Sequence, residues 1–361
     1  MAVKILQVEK KPLISSECWT YYKFALMQNV YFFDVWLANH MKIYLDQNVN
    51  ATFGENGSMY PLSYYSDILD ISDANIVSVP TDEIVQFLIN QIDINNYIVI
   101  DINFGRLNNI DSSQMYFREA LIYGYDTERE EFLTPMLSYG GFKETRVGFK
   151  VLALAYSDAH ARYIQDKSWL FNRRAWFYGI TILKPKNSYE NTNAYYDFLL
   201  KLRWEEEGNI YTRQRQAGDF ENIDSYTYYT GSSCLLYLSK HIEKLSRCGN
   251  TPDEDIKNCL RSCLKVFENQ KIIFRSMKWF VEKVDYKNEL LANHAHKYGK
   301  CCEQMYMDML ILDKYLYKKD NVTLPRVKKS LEKLYWQEKD ILNEYIIEAT
   351  NAYTKELHVI Q

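Results

Sequence analysis

A cysteine at the predicted start of a helix is the first feature of this sequence that could do chemistry. Cys18 lies in "SSECWTYYKFALMQN", where Ser15 and Ser16 are possible N-caps, so we place it in the first helical turn. The unpaired amide groups of a helix N-terminus lower the pKa of a thiol and help to hold an oxyanion. The position therefore suits a thiolate nucleophile. The alternative is a small core residue beside Trp19, because free cysteines are among the most buried residues.

A strand hairpin with the sequence "FREALIYGYDTEREEFLT" is the second such feature. Ala120 to Tyr123 form a continuous apolar run, which predicts a strand buried on both faces. Residues 124–130 supply a polar turn, and residues 131–134 a second short strand. This hairpin must be positioned by the elements around it.

The surrounding elements predict an α+β domain over residues 1–186. A helix in "TDEIVQFLINQI" leads into the strand "NYIVIDINF" at 96–104, and "GFKETRVGFKVLALAYSDAHARY" indicates a strand followed by a helix. A last strand, "WFYGITILKP", ends at Pro185. We expect the 96–104 strand and the hairpin strand to be neighbours in one sheet flanked by helices.

Residues 187–361 predict an all-helical bundle, because apolar residues recur there at spacings of three and four. The predicted helical segments are 189–207, 225–247, 252–284, 288–318 and 324–357. One stripe in the last segment is expected to be core, with a dimer seam as the alternative: Val327, Leu331, Leu334, Ile341, Tyr345, Ala349 and Ala352.

Composition excludes several classes of function. The net charge of −4 gives no overall basic field for nucleic acid. Neither a signal peptide nor a long apolar segment is visible, so the sequence predicts a cytoplasmic protein without a membrane partner. The seven cysteines are then expected to be reduced thiols.

The order of these elements resembles the butirosin biosynthesis protein H type of family, which accompanies carrier-protein-dependent assembly lines for peptides and related natural products. The motifs that carry the resemblance span most of the chain: "ECWTYYKFAL", "YIVIDINF", "ALIYGYDTEREEFL", "YYDFLLKL" and "IDSYTYYTGSSCLLYLSKHI". It implies a papain-like cysteine-peptidase fold with an added helical domain. Active members are expected to move an acyl group from a carrier thioester to an amine.

The resemblance also assigns roles to residues, and two of three roles look vacant. Cys18 matches the nucleophile. The family's histidine precedes the apolar strand, where this chain has Phe117, Arg118 and Glu119. Its orienting carboxylate or amide is expected after the turn, where Thr134 stands. Arg118 stays protonated, and Glu119 accepts a proton only weakly unless burial raises its pKa.

Substitutes for the missing imidazole are His40, His160 and His241, each in a predicted helix, where a surface or core role is the expected one. Soft ligands for zinc occur at His294, His296, Cys301, Cys302, Cys259 and Cys263. His294 with Cys301, and Cys259 with Cys263, can share a helix face, but four convergent ligands are not evident. We expect no metal. The "GSSC" at 231–234 is expected to lack the strand, loop and helix context of a phosphate site.

The sequence thus predicts an accessory protein of a carrier-protein-dependent pathway, with an incomplete triad and no cofactor beyond the phosphopantetheine of a carrier protein. The alternatives are an active acyltransferase that uses Cys18 with a displaced base, and a non-enzymatic scaffold that forms oligomers through the C-terminal helices. Carrier proteins are generally acidic, so two basic surfaces are docking candidates: Arg173, Arg174, Lys184 and Lys186, or Lys328, Lys329 and Lys333.

Overall fold

The computed structural model is a mixed α+β structure. It describes residues 3–55, 58–75, 78–107, 116–138, 141–165, 179–216, 223–248, 252–284 and 287–360. The described helices are α1 (Cys18–Met27), α2 (Phe33–Asn39), α3 (Ile84–Asp93), α4 (Phe104–Leu107), α5 (Phe149–Gln165), α6 (Ala194–Glu207), α7 (Ser233–Arg247), α8 (Asp253–Val284), α9 (Glu289–Lys318) and α10 (Thr323–Ile360). The described strands are β1 (Val3–Ile5), β2 (Ile43–Asp46), β3 (Ala51–Glu55), β4 (Ser58–Met59), β5 (Leu69–Asn75), β6 (Tyr97–Asn103), β7 (Phe117–Ile122), β8 (Gly124–Asp126), β9 (Glu131–Ser138), β10 (Gly141–Gly148), β11 (Gly179–Pro185), β12 (Ile210–Gln216) and β13 (Ile223–Thr230).

The chain forms two compact units, and each is discontinuous in sequence. Unit 1 contains residues 1–33 and 61–189, and unit 2 contains residues 34–60 and 190–361. The division predicted at residue 186 treats each domain as one continuous segment. Residues 34–60 lie in unit 2 instead, because β2 pairs with β13 and β3 pairs with β2.

Unit 1 contains the predicted sheet, with the antiparallel strand order β5-β11-β6-β7. Every residue of β6 is buried, including Asp101 and Asn103. β6 and β7 are adjacent, with Asp101 opposite Glu119 and Ile102 opposite Arg118. The expected pairing of the 96–104 strand with the hairpin strand is therefore confirmed.

The hairpin bends between two sheets at Tyr123. β7 belongs to the sheet just described, whereas β8 pairs with β9 in a second sheet, β1-β8-β9-β10. The predicted turn is stabilised by Asp126, whose Oδ1 accepts hydrogen bonds from the amides of Glu128 and Arg129, both at 3.1 Å. Beyond the turn β9 runs on to Ser138, four residues past the predicted strand.

Unit 2 contains a sheet, so the prediction of an all-helical C-terminal part is wrong. β12 and β13 pair with each other, and β13 also pairs with β2, giving the order β12-β13-β2-β3-β4. The sequence of β13, "IDSYTYYT", is rich in Tyr and Thr, which favour strands. The helix predicted to begin at residue 225 begins only at Ser233, as α7.

The helices of unit 2 pack around a core that includes the predicted stripe of α10. Tyr345, Ala349 and Ala352 lie in a cluster with aromatic residues of α6 and α8. The rings of Phe198 and Phe280 are 5.3 Å apart, within the range in which aromatic pairs attract. Val327, Leu331 and Leu334 are buried as well, and Ile341 is partly buried against the cluster. The stripe is therefore core.

Charged side chains are also buried in this unit. The Nζ of Lys201 donates hydrogen bonds to the carbonyl oxygens of Leu37 (3.1 Å) and His40 (2.5 Å), at the C-terminal end of α2. Burial raises the pKa of Glu205 to about 7, which Lys201 opposes, and raises the pKa of Glu338 to about 8, to which the Glu205 charge adds. Gln270 donates a hydrogen bond to Glu338. The interior of the bundle thus holds two carboxyl groups whose pKa values burial raises well above that of an exposed glutamate.

No helix among the described residues is both long enough and apolar enough to cross a membrane.

The Glu338→Gln variant should weaken the pH dependence of stability. Between the ordinary pKa of 4.5 and about 8, folded Glu338 keeps a proton that the unfolded chain releases. The free energy of unfolding therefore falls as pH rises through this window, by up to about 1.4 kcal/mol per pH unit. Glutamine does not titrate, so the free energy of unfolding measured with urea should fall less steeply with pH in Glu338→Gln than in wild type. The prediction is contradicted if this pH dependence is the same in Glu338→Gln, in wild type and in the exposed control Glu303→Gln.

Candidate functional site

Helix α1 begins at Cys18, as the sequence predicts, but its N-cap is Glu17 rather than Ser15 or Ser16. Glu17 has an extended backbone conformation, and its carbonyl accepts the first helical hydrogen bond, from the Tyr21 amide at 2.8 Å. Its buried carboxylate accepts a hydrogen bond from the Thr20 hydroxyl at 2.9 Å. The backbone of Cys18 is described, whereas its side chain lies outside the described part of the chain.

Helix α1 lies against strand β7, and a hydrogen bond joins them. The Tyr22 hydroxyl donates to the backbone carbonyl of Glu119 at 2.7 Å. Position 18 is one helical turn before Tyr22, and residues four apart share a helix face. The backbone of position 18 therefore lies one helical turn before the residue of α1 that contacts β7. We call this contact region the α1–β7 seam.

Glu119 and Arg118 lie on opposite faces of β7, because successive strand residues alternate. Glu119 interacts electrostatically with Lys23 of α1. The guanidinium carbon of Arg118 instead lies 4.6 Å from the ring centroid of Tyr116, a cation–π contact. Of the two residues at the place of the missing histidine, Glu119 is the one that faces the helix.

Lys23 is the buried charged residue of the seam that sequence reasoning missed. It is 1% exposed, and its Nζ lies 5.7 Å from the ring centroid of Tyr65. Burial holds the pKa of Lys23 well below its ordinary value, and the Glu119 carboxylate opposes this effect. The signal was present in "WTYYKFALM", where a single charge interrupts an apolar helix.

Among the described residues, no recorded interaction connects Thr134 with this seam. It lies on β9, opposite Thr145 of β10, and is fully buried. Its Oγ1 has no hydrogen-bond partner within the described part of the chain. The predicted orienting role would need a partner imidazole, and the recorded contacts of the histidines lie elsewhere.

The three candidate histidines have other surroundings. The His40 ring stacks on Trp36 at 4.5 Å, and its Nδ1 lies 2.6 Å from the Trp36 carbonyl oxygen. The His160 ring is 6.0 Å from that of Tyr156 on the same helix. Burial lowers the pKa of His241 on α7. No recorded contact between described residues places an imidazole at the α1–β7 seam.

The cysteine and histidine pairs do not form a metal site among the described residues. The Nδ1 of His294 lies 3.3 Å from Glu344 Oε2, and burial raises the pKa of the Cys301 thiol to about 12. Cys259 and Cys263 do share a face, and the hydrogen bond between the two thiols, together with burial, keeps the pKa of Cys263 well above its usual range. A zinc ligand would need the deprotonated thiolate.

The "GSSC" segment does lie between a strand and a helix, contrary to the sequence expectation. Gly231 joins β13 to α7 with a φ of 51°, and the turn is filled by the end of α6. A Cβ at Gly231 would lie 2.5 Å from the carbonyl oxygen of Glu205. Ser232 donates a hydrogen bond to Glu206 O and Ser233 to Thr230 O. The hydroxyl groups of this turn are therefore used in hydrogen bonds to backbone carbonyls.

Comparison with protein-family models finds no match to the chain, and comparison with curated proteins finds none either. The α1–β7 seam is therefore interpreted from its own geometry.

The Glu119→Gln variant should shift the alkaline pH dependence of stability. Between its lowered pKa and 10.5, Lys23 binds a proton in the unfolded chain but not in the folded one, so the free energy of unfolding rises with pH. Removing the Glu119 charge lowers the pKa of Lys23 further, so the rise should begin at a lower pH. Lys23→Met should remove this component, and the exposed control Lys150→Met should retain it.

The measurement is urea unfolding at several pH values between neutrality and about 10. If Glu119→Gln and wild type follow the same profile, Glu119 does not control the proton on Lys23.

Proposed function

We propose that this protein is a non-catalytic accessory protein of a carrier-protein-dependent pathway for peptides or related natural products. It binds a carrier protein or its tethered intermediate in the cytoplasm, on a scaffold derived from a papain-like acyltransferase. The observation that carries the proposal is the α1–β7 seam, where the expected histidine position holds Glu119, which acts electrostatically on the buried Lys23 and supplies no imidazole.

The chemistry of acyl transfer explains why this observation matters. A cysteine nucleophile needs a base that takes its proton and returns it to the leaving group near neutral pH. Glu119 faces Lys23, and Arg118 cannot accept a proton. The helix start at Cys18 and the contact of α1 with β7 fit the expected arrangement, whereas no recorded contact among the described residues supplies the expected imidazole, which supports a binding role over catalysis.

The alternative function, an active acyltransferase, needs a base at a position other than that of the expected histidine. A lysine with a lowered pKa can act as a base, and Lys23 has one. However, Lys23 is five positions after Cys18, roughly 140° around the helix, so the two positions do not share a face. The geometry therefore favours the binding role.

A carrier protein is expected to dock on basic surface in the unit that contains the seam. Lys184 is exposed near the end of β11, and Lys186 follows it half-buried; both belong to unit 1. Arg173 and Arg174 of the same predicted surface lie outside the described residues. In unit 2, Lys328 is engaged by Glu332 at 2.9 Å, which weakens the second predicted surface.

The double variant Lys184→Glu, Lys186→Glu should bind a phosphopantetheinylated acidic carrier protein roughly tenfold more weakly than wild type, because two attractive charges become repulsive. Calorimetry at low ionic strength measures this, and added salt should weaken wild-type binding. The matched control is Lys150→Glu on α5, an exposed lysine elsewhere in the same unit. Undetectable binding of the wild-type protein at low salt would contradict the proposed function.

A further inference from the structure

Helices α9 and α10 of unit 2 enclose a groove of about 610 Å³. This volume is in the range of small-molecule sites. The helices run antiparallel, because Gln304 bonds to Ser330 (3.3 Å) towards one end and His294 contacts Glu344 (3.3 Å) towards the other. The groove thus has two distinguishable ends.

The α10 wall of the groove carries charges in a defined order. Lys333, Gln337, Asp340 and Glu344 are three or four positions apart, so they follow one face of the helix. A cation lies nearer the Ser330 end, an amide follows, and two carboxylates lie towards the Glu344 end. Lys333 and Asp340 are two turns apart, which is roughly 10 Å along the helix axis.

Three of these side chains are available to a ligand. Lys333, Gln337 and Asp340 are exposed, and none has an ion pair or hydrogen bond among the described residues. Beneath them, Leu334 and Cys301 are buried and form an apolar floor. The wall therefore presents unpaired polar groups above a hydrophobic base, which is the usual composition of a binding site.

The α9 wall reinforces the charge order only in part. Lys300 lines the groove opposite the Lys333 half but is held by Glu303 at 3.0 Å. Lys297 lies nearer the acidic end, where its positive charge offsets the charge of one of the two carboxylates. Burial lowers the pKa of His294, and the same charge adds to this effect. The groove as a whole is dipolar rather than basic or acidic.

We propose that this groove binds a short zwitterionic peptide or peptide-like molecule of about three residues. Its carboxylate is held by Lys333, and its amine by Asp340 and Glu344. An extended chain spans about 3.3–3.6 Å per residue, so about three residues match the separation of Lys333 and Asp340. Gln337, between the two charges, can both donate to and accept from a peptide group.

The charge order excludes simpler ligands. A molecule with only anionic groups would place charge against Asp340 and Glu344, and a molecule with only amines would meet Lys333 and Lys297. A neutral apolar ligand would desolvate these charges without pairing them, which is unfavourable. This site lies between two helices of unit 2, and its occupation does not depend on the docking of a carrier protein.

The test measures the binding of tri-alanine to the full chain by calorimetry or chemical-shift perturbation. Tri-alanine should bind. Its N-acetylated form and its C-terminal amide should each bind roughly three- to tenfold more weakly, because each loses one ion pair. Lys333→Gln should weaken tri-alanine binding by a similar factor but have little effect on the C-terminal amide, and Asp340→Asn should show the mirror pattern with the N-acetylated form.

The exposed lysine Lys314, on α9 outside the groove lining, provides the matched control, and Lys314→Gln should leave binding unchanged. All three substitutions are at exposed positions, so each variant should fold, which circular dichroism checks. The proposal is overturned if wild-type protein does not bind tri-alanine at low salt, or if the acetylated and amidated peptides bind as well as the free one.

Discussion

The arrangement of the α1–β7 seam depends on one constraint, the burial of the Lys23 amine. Burial disfavours the charged form of an amine and so lowers its pKa, and a neighbouring negative charge opposes that effect. Glu119 is the carboxylate that acts on Lys23 in this way. The side chain at this strand position therefore interacts with Lys23 and does not supply an imidazole. Tyr22 fixes the same helix to the same residue through its hydroxyl group.

This constraint connects the fold to the proposed function. A papain-like enzyme would use the strand beside its nucleophile helix to present an imidazole, whereas here the strand presents the partner of a buried lysine. Helix α1 begins at the expected nucleophile position and packs against β7. Glu119 at the expected histidine position supports the proposed role, which is to bind an acyl-carrying partner without transferring the acyl group.

The sequence predicts those parts of the fold in which one physical signal dominates. The continuous apolar run Ala120 to Tyr123 specifies a buried strand segment, and the polar turn after Asp126 specifies the hairpin. β13 was missed because its tyrosines satisfy a helical spacing as well as a strand preference, and only pairing with β2 decides between them. Lys23 was missed because a lysine is ordinarily expected at the surface. Its partner is far away in sequence, so only the folded chain reveals the pair.

The most direct test of the central claim is whether Cys18 accepts an acyl group. The protein is incubated with an acyl-phosphopantetheinyl carrier protein, and its mass is followed by peptide mapping, with the exposed thiol of Cys248 as an internal reference and Cys18→Ser as the control. The account predicts no acyl adduct on the peptide that contains Cys18 beyond the background on Cys248. A thioester adduct on Cys18 that forms near neutral pH and is absent from Cys18→Ser would contradict it.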